Sequence, residues 1–271
     1  MNRRWRVLRE TSVGTRVGRF ALGVAAVALV PAFASATPST TYWAPSVATC
    51  QAKNVPHVTY DTYFSKEAAY PIDTGLTMGI LPGDKVQAEV GYDLLMATHD
   101  PVGFYLNGKV CLPENSLGKG APGIGVGVYN IGFHGSNSSS VAPNNYNTLY
   151  AMAQKTLPTG GYIAGGFYYG LGTEGLYASS EGEVHRAGAI VGFASPDIKV
   201  GLKGLSKILI IGDVMTGKNV LGAGGAGINF YFNDYIAAIV GPVFFFDKDL
   251  QFGQRTLWTM QIDIDIPLGK P

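Results

Sequence analysis

Polar side chains alternate with apolar ones in four stretches of the chain, and these polar side chains are the first candidates for function. The clearest stretch is Lys85–Leu95, and the same alternation runs through His57–Phe64, Val102–Leu112 and 258–266. A period of two places the polar side chains on one face of a β-strand. The candidates are Asp61, Gln87, Glu89, Asp93, Asn107, Lys109, Asp263 and Asp265. If these faces surround one space, that space is acidic and favours cations, unless internal ion pairs with Lys109 or Arg186 neutralise it.

A second group of residues suggests nucleophilic catalysis. His134, Ser136 and Asn147 would act as general base, nucleophile and orienting residue of a lipid hydrolase. They resemble the His/Ser/Asn arrangement of outer-membrane phospholipase A, although the spacing around the histidine differs. Ser136 begins the serine-rich run 136–140, which is more typical of a polar surface loop. The hydrolase is therefore an alternative interpretation.

Cys50 and Cys111 are the two cysteines of the chain, so one intramolecular pair is possible. Two cysteines exclude a disulfide-rich scaffold and a four-cysteine zinc site. Cys50 precedes the first predicted strand and Cys111 ends the fourth, so both lie near the same edge of the sheet, and an oxidising compartment favours a bridge between them. Two free, buried thiols remain the other possibility.

Neither the histidines nor the richest glycine stretch indicates a cofactor. His57, His99, His134 and His185 are scattered, and no pair has the spacing of metal ligands. The glycine-rich Leu221–Gly227 lacks the following helix that a phosphate-binding loop needs. We expect this stretch to pack in a strand or to form a tight turn.

Strands must position all of these residues, because the chain after residue 37 shows no helical periodicity. Short turn sequences occur at 82–84, 158–161 and 233–234, and longer polar loops at 135–147 and 170–182. We predict strands at His57–Phe64, Asp73–Leu81, Lys85–Leu95, Val102–Leu112, Gly123–His134, Thr148–Leu157, Tyr162–Tyr169, Val184–Phe193, Lys207–Met215, Gly224–Phe232, Tyr235–Phe246 and 258–266.

Residues 1–36 have the three parts of a secretory signal peptide. An apolar run from Phe20 to Phe33 follows a basic start and ends in the small-residue site Ala34-Ser35-Ala36. The run is shorter than the roughly 20 apolar residues of a membrane-spanning helix. We predict cleavage after Ala36, an extended segment at 37–54 and a barrel over 55–271. The basic residues of the start are Arg3, Arg4, Arg6, Arg9, Arg16 and Arg19.

The composition excludes several classes of protein. The chain of 271 residues is 46% hydrophobic and only 14% charged, which is unlike a disordered chain. A net charge of +1 argues against a nucleic-acid-binding protein. The 37 glycines and the 11% aromatic residues favour a compact β protein or a membrane protein.

Alternation alone does not say which face of the strands meets water. A soluble β-sandwich buries its apolar face, whereas an outer-membrane barrel turns that face to lipid and keeps a polar lumen. The export signal, strand lengths near the roughly 9–11 residues of a membrane strand, and aromatics at strand ends favour the barrel. We therefore predict an all-β fold, a transmembrane, antiparallel, up-and-down β-barrel of about twelve strands. A secreted, soluble β-sandwich that binds a ligand is the alternative.

Several short motifs resemble a family of uncharacterised bacterial outer-membrane β-barrel proteins of porin-like type. The resemblance covers most of the chain after residue 36, and it implies an outer-membrane barrel with no established substrate. The motifs that carry it are Thr37-Pro38-Ser39-Thr40 with Trp43, Gly75-Leu76-Thr77 through Leu81-Pro82, Lys85–Glu89, Pro122 with Tyr129-Asn130, and Gly222–Gly241.

The predicted function is a passive, porin-like channel for small solutes in the bacterial outer membrane, with a preference for cations. Outer-membrane lipid and small solutes are the expected partners. We expect no cofactor, no metal and no nucleic acid. The outer-membrane lipid hydrolase and the secreted binding protein are the alternatives.

Overall fold

The computed structural model describes residues 40–65, 72–81, 83–96, 103–135, 143–251 and 253–268. The predicted signal peptide at 1–36 and the start of the segment 37–54 lie outside these residues. Ser136 and His99 also lie outside them.

Strands dominate the described chain. They are β1 (His57–Phe64), β2 (Ile72–Leu81), β3 (Gln87–Met96), β4 (Phe104–Leu112), β5 (Gly123–Ile131), β6 (Thr148–Thr156), β7 (Tyr162–Gly170), β8 (Ala187–Ala194), β9 (Ile198–Lys199), β10 (Lys207–Met215), β11 (Ala223–Tyr231), β12 (Ile236–Phe245) and β13 (Thr256–Asp265). Two short 3-10 helices lie at Glu174–Tyr177 and Lys248–Gln251. No helix in the described ranges is long and apolar enough to cross a membrane.

The strands form a closed, antiparallel, up-and-down barrel. Each long strand pairs with the next long strand in the chain, and β8 pairs with β10. The two-residue β9 only extends the edge of β10. The last strand returns to the first, with His57 opposite Asp265 and Phe64 opposite Trp258. This closure confirms the predicted all-β barrel of twelve strands and shows that the alternative of a β-sandwich is wrong.

The barrel has an apolar outside, and its inside holds charged and polar side chains together with apolar ones. On β13, the side chains of Trp258 and Met260 point outward and are 49% and 39% exposed. Gln261, the next residue, points inward and is 4% exposed. On β3, Val90 is exposed on the outside, while Glu89 is buried inside. The apolar exterior is unlike that of a soluble barrel, which turns mostly polar side chains to water.

The two ends of the barrel differ in their connections. At the end where β1 begins and β13 finishes, called the turn end below, strands are joined by the short connections 157–161 and 232–235. Gly160 and Gly161 take φ of +87° and +71° there, a conformation that favours glycine. At the opposite end, called the loop end, the longer connections 171–186 and 246–255 join the strands.

The lumen is occupied by residues 40–51, called the lumen segment below. Tyr42, Ala44 and Ala48 of this segment are buried against inward side chains of the barrel strands. Inward glycines make the room: a Cβ atom at Gly192 would lie 2.7 Å from the Ser46 side chain, and one at Gly125 would lie 3.0 Å from the Ala48 Cα. Glycine is therefore required at these positions by the close approach of the segment, not by the strands alone.

We expect the substitution Gly192→Val to displace the lumen segment around Ser46 while leaving the barrel closed, because the nearest atoms to the added Cβ all belong to Ser46. Proteolysis of the folded protein within residues 40–48, followed by mass spectrometry, measures the displacement. Gly165→Val is the matched control, since nothing lies within 4 Å of a Cβ there. Equal protection of the segment in both variants would contradict this packing.

Candidate functional site

The lumen segment enters at the turn end, reaches toward the loop end and returns. Near its start, the Thr41 hydroxyl lies 3.0 Å from the hydroxyl of Tyr162, at the beginning of β7. At its apex, Trp43 Nε1 donates to the carbonyl of Leu221 in a loop-end connection, at 2.8 Å. Gln51 is back near the turn end, where its Nε2 donates to Asp265 Oδ1 at 2.8 Å. The segment therefore narrows the lumen over most of its length.

One carboxylate, that of Asp213 on β10, holds the apex of the segment. It accepts hydrogen bonds from the backbone N–H groups of Tyr42, Trp43 and Ala44 at 3.0, 3.0 and 3.2 Å. The Ser46 hydroxyl donates a fourth, at 2.8 Å. Asp213 is 4% exposed, and a buried carboxylate requires such donors to offset its loss of water. The hydrogen-bonding groups of the Asp213 carboxylate and of the segment's backbone are therefore paired with each other.

The returning half of the segment is fixed at further points along the barrel wall. The backbone N–H of Ala48 donates to Gln154 Oε1 on β6 at 3.0 Å, and that of Gln51 donates to Glu89 Oε2 on β3 at 2.6 Å. Cys50 forms a disulfide with Cys111 of β4, with the two Cα atoms 5.9 Å apart. The bridge ties this half covalently to the wall.

The eight polar residues predicted to line the lumen all face inward. Glu89 and Lys109 form a buried ion pair at 3.2 Å, and Gln87 lies on the same face at the start of β3. Asn107 Nδ2 donates to Asp93 Oδ2 at 2.5 Å. The Lys109 pair is the internal ion pair that sequence reasoning left open, whereas Arg186 lies at the loop end near Glu174.

The acidic side chains of β1 and β13 meet around His57. The His57 ring lies between two carboxylates, 3.3 Å from Asp263 Oδ1 and 3.0 Å from Asp265 Oδ1. Asp61 on the same strand accepts a hydrogen bond from the Thr59 hydroxyl at 2.8 Å. In the described part of the chain, no group of three or more His, Cys, Asp and Glu side chains is placed to hold a metal ion.

Two important carboxylates were absent from the sequence-based candidates. Asp213 is the acidic residue of the otherwise mostly apolar strand KILIIGDVM, and a lone carboxylate among apolar inward positions was the signal available. Asp73 lies opposite Asp61 on the neighbouring strand, at the start of β2. Both lie in strands predicted correctly, so only their roles were missed.

Above Trp43, toward the loop end, the lumen opens into a cavity of about 270 Å³, called the aromatic cavity below. Its walls come from the ends of several strands and from loop-end connections. The lining residues are Trp43, Tyr63, Asp73, Leu95, Tyr105, Tyr129, Asn130, Tyr146, Met215, Val220, Leu221, Phe245, Gln251 and Leu257.

Neighbouring rings hold the loop-end wall of this cavity in place. The Tyr177 hydroxyl donates to the carbonyl of Tyr146 at 2.7 Å and lies 2.7 Å from the Thr148 hydroxyl. Burial raises the pKa of Tyr177 to about 12, so its hydroxyl keeps its proton across the physiological range. The Tyr105 and Tyr146 ring centroids are 6.0 Å apart. The wall is thus a packed aromatic surface.

Two residues of the hydrolase alternative, Asn147 and His134, take part in loop hydrogen bonds. Asn147 Oδ1 accepts a hydrogen bond from the backbone N–H of Gly132 at 3.1 Å. The backbone N–H of His134 donates to Asn144 Oδ1 at 2.9 Å. These bonds join the two arms of one loop-end connection, which is the role expected for a polar surface loop.

The chain matches no protein-family model and no curated protein. Among solved structures it is similar to an outer membrane channel from Pseudomonas putida F1. The two chains have 10% sequence identity and a TM-score of 0.42, over 78% of this chain and 94% of the other. A likeness this weak adds nothing to the barrel that the strand pairing establishes. Membership of the family that the sequence motifs resemble stays a prediction.

We expect Asp213→Asn to loosen the apex of the lumen segment, because an amide offers one acceptor oxygen where the carboxylate offers two. Hydrogen bonds to a charged group contribute about 2 kcal/mol, which corresponds to roughly 30-fold faster exchange of the Tyr42, Trp43 and Ala44 amides. Hydrogen exchange read by mass spectrometry measures this. Asp197→Asn is the control, since the Asp197 side chain is 56% exposed at the turn end and pairs with Lys207 rather than with the lumen segment. Unchanged exchange in the Asp213 variant would contradict its role.

Proposed function

We propose that this protein is a channel of the bacterial outer membrane that passes small solutes through its lumen. The observation that carries the proposal is the closed barrel that exposes large apolar side chains on its outside and buries charged side chains inside. A closed barrel leaves no unpaired strand edge, which is the condition for strands to cross lipid.

Strand lengths and outer surface support the membrane part of the proposal. Strands β2, β3, β12 and β13 each have 10 residues, within the roughly 9–11 that a tilted membrane strand needs. Outward aromatics such as Tyr169 and Phe244 lie near strand ends, where interfacial girdles occur. A barrel with this surface would expose a large apolar area to water if it were not embedded in lipid.

The lumen supports the passage of small solutes. Its inward acidic side chains favour cations over anions, in the manner of acidic rings in other channels. The lumen segment narrows the route, so only small solutes would pass while it is in place. The inward acidic residues are Asp61, Asp73, Glu89, Asp93, Asp213, Asp263 and Asp265, and the inward lysines are Lys109 and Lys207.

We expect Val126→Arg to destabilise the barrel by about 2–4 kcal/mol, because Val126 points outward near the middle of β5 and a charge there would lie in lipid. Urea unfolding in lipid vesicles, followed by tryptophan fluorescence, measures the change. Leu202→Arg is the matched control, since Leu202 is 66% exposed in a turn-end connection. Equal stability of the two variants would argue against a membrane-embedded exterior.

Recordings of the purified protein in planar bilayers test the channel. We expect small, discrete conductance steps, and larger steps when residues 40–46 are deleted, because the wall tie at Cys50 remains while the apex of the segment is gone. The absence of conductance from both proteins would reject the proposal.

The same recordings in a KCl gradient test the preference for cations. We expect a reversal potential that favours K⁺, and a smaller preference when Asp61→Asn and Asp93→Asn remove inward charges. Asp234→Asn in the turn 232–235 is the control, because this residue lies outside the lumen. A preference for Cl⁻ in the unaltered protein would show that the acidic lumen does not set selectivity.

A further inference from the structure

We propose that the aromatic cavity binds small organic ammonium ions, with the ammonium group on Asp73 and the apolar body against the surrounding rings. The part of this proposal in which solutes pause in the cavity during passage rests on the proposed channel function. The part in which the cavity binds ammonium ions is argued from the geometry of the cavity alone.

The size of the cavity suits a molecule with one ring. An apolar cavity of about 150 Å³ holds benzene, so about 270 Å³ accommodates an aromatic ring with a short substituent. The cavity lies directly beyond Trp43, the apex of the lumen segment, so a solute that enters from the loop end meets the cavity before the narrow part of the lumen.

The floor of the cavity is a rigid aromatic corner. The Trp43 ring meets Tyr63 and Phe245 edge to face, with centroids 5.6 and 5.3 Å apart. The hydrogen bond from Trp43 Nε1 to Leu221 holds the indole in this position. Aromatic faces attract cations through their quadrupoles, and tryptophan does so most strongly. The corner therefore favours an apolar body that carries a positive charge.

Asp73 supplies the polar end of the site. Its Oδ1 atom is buried and has no hydrogen-bond partner within the described residues. A buried carboxylate oxygen without a donor is costly, and an ammonium N–H would satisfy it. Asp73 also lines the smaller, more polar cavity beside the lumen segment, so it connects the aromatic cavity to the acidic part of the lumen.

The charges around Asp73 select the sign of the ligand. Asp61 lies directly opposite on β1, and Asp93 lies on the following strand, β3, beside Gly75. Carboxylates at neighbouring positions of a sheet repel one another, and a bound cation relieves that repulsion. An anion of the same shape would meet the carboxylate of Asp73, with those of Asp61 and Asp93 close behind it, so we expect it to be excluded.

Binding of three probes with a common ring tests the proposal: 2-phenylethylammonium, neutral 2-phenylethanol and anionic 3-phenylpropanoate. The fluorescence of Trp43 is followed in detergent-solubilised Trp258→Phe protein that starts at residue 37, because Trp258 lies on the outer surface and Trp5 lies in the predicted signal peptide. We expect the ammonium ion to bind at least about tenfold more tightly than the alcohol, consistent with the added strength of a charged hydrogen bond. The anion should cause no change.

Asp73→Asn should reduce ammonium binding to the level of the alcohol, while Asp197→Asn should leave it unchanged. Heat-modifiable gel migration shows whether each variant is folded. Equal binding of the ammonium ion and the alcohol to the unaltered protein would reduce the cavity to a simple apolar pocket and overturn the proposal, whatever the variants do. Because binding is read in detergent, it is independent of conductance: a conducting barrel that binds no ammonium ion refutes only this inference, and a binding barrel that does not conduct refutes only the channel.

Discussion

The carboxylate of Asp213 and the backbone N–H groups of residues 42–44 satisfy one another in the middle of the lumen. Neither partner could be buried alone, since an ionised carboxylate and unpaired N–H groups both lose water at a high cost. Together they keep an irregular stretch of chain inside a barrel whose own backbone groups are already paired between strands. The position of Trp43, and with it the floor of the aromatic cavity, depends on this contact.

Inward glycines and aromatic side chains occupy different parts of the lumen around the segment that Asp213 holds. Inward glycines lie where the lumen segment touches the wall, as at Gly192 and at Gly225, where an added Cβ would lie 2.8 Å from the Tyr42 ring. Aromatic side chains fill the wider space beyond the apex. Glycines therefore occur where the lumen segment leaves no room for a side chain, and aromatic residues occur where the lumen is wider.

Strands and their faces could be predicted from the sequence, because period-two alternation is a local property. The predicted bounds of β1 and β10 match the structure, and the inward face of Asp61, Glu89 and Asp263 follows from the alternation. The path of the lumen segment could not be predicted in this way. Its main contact joins residues 171 positions apart, from Tyr42 to Asp213, and residues 40–51 carry no alternation that assigns them to a place. The partner of each cysteine could be named from the sequence only because the chain has two cysteines.

The place of the lumen segment in the chain constrains the order in which the barrel is assembled. The segment precedes β1, and its covalent partner Cys111 lies on β4, so every residue needed for the bridge is synthesised before more than half of the wall. The seam between β1 and β13, in contrast, waits for the last strand. A bridge formed early would keep the segment beside the growing sheet, and closure of the seam would then wrap the wall around a chain already in position. The alternative would require the segment to be threaded into a finished barrel.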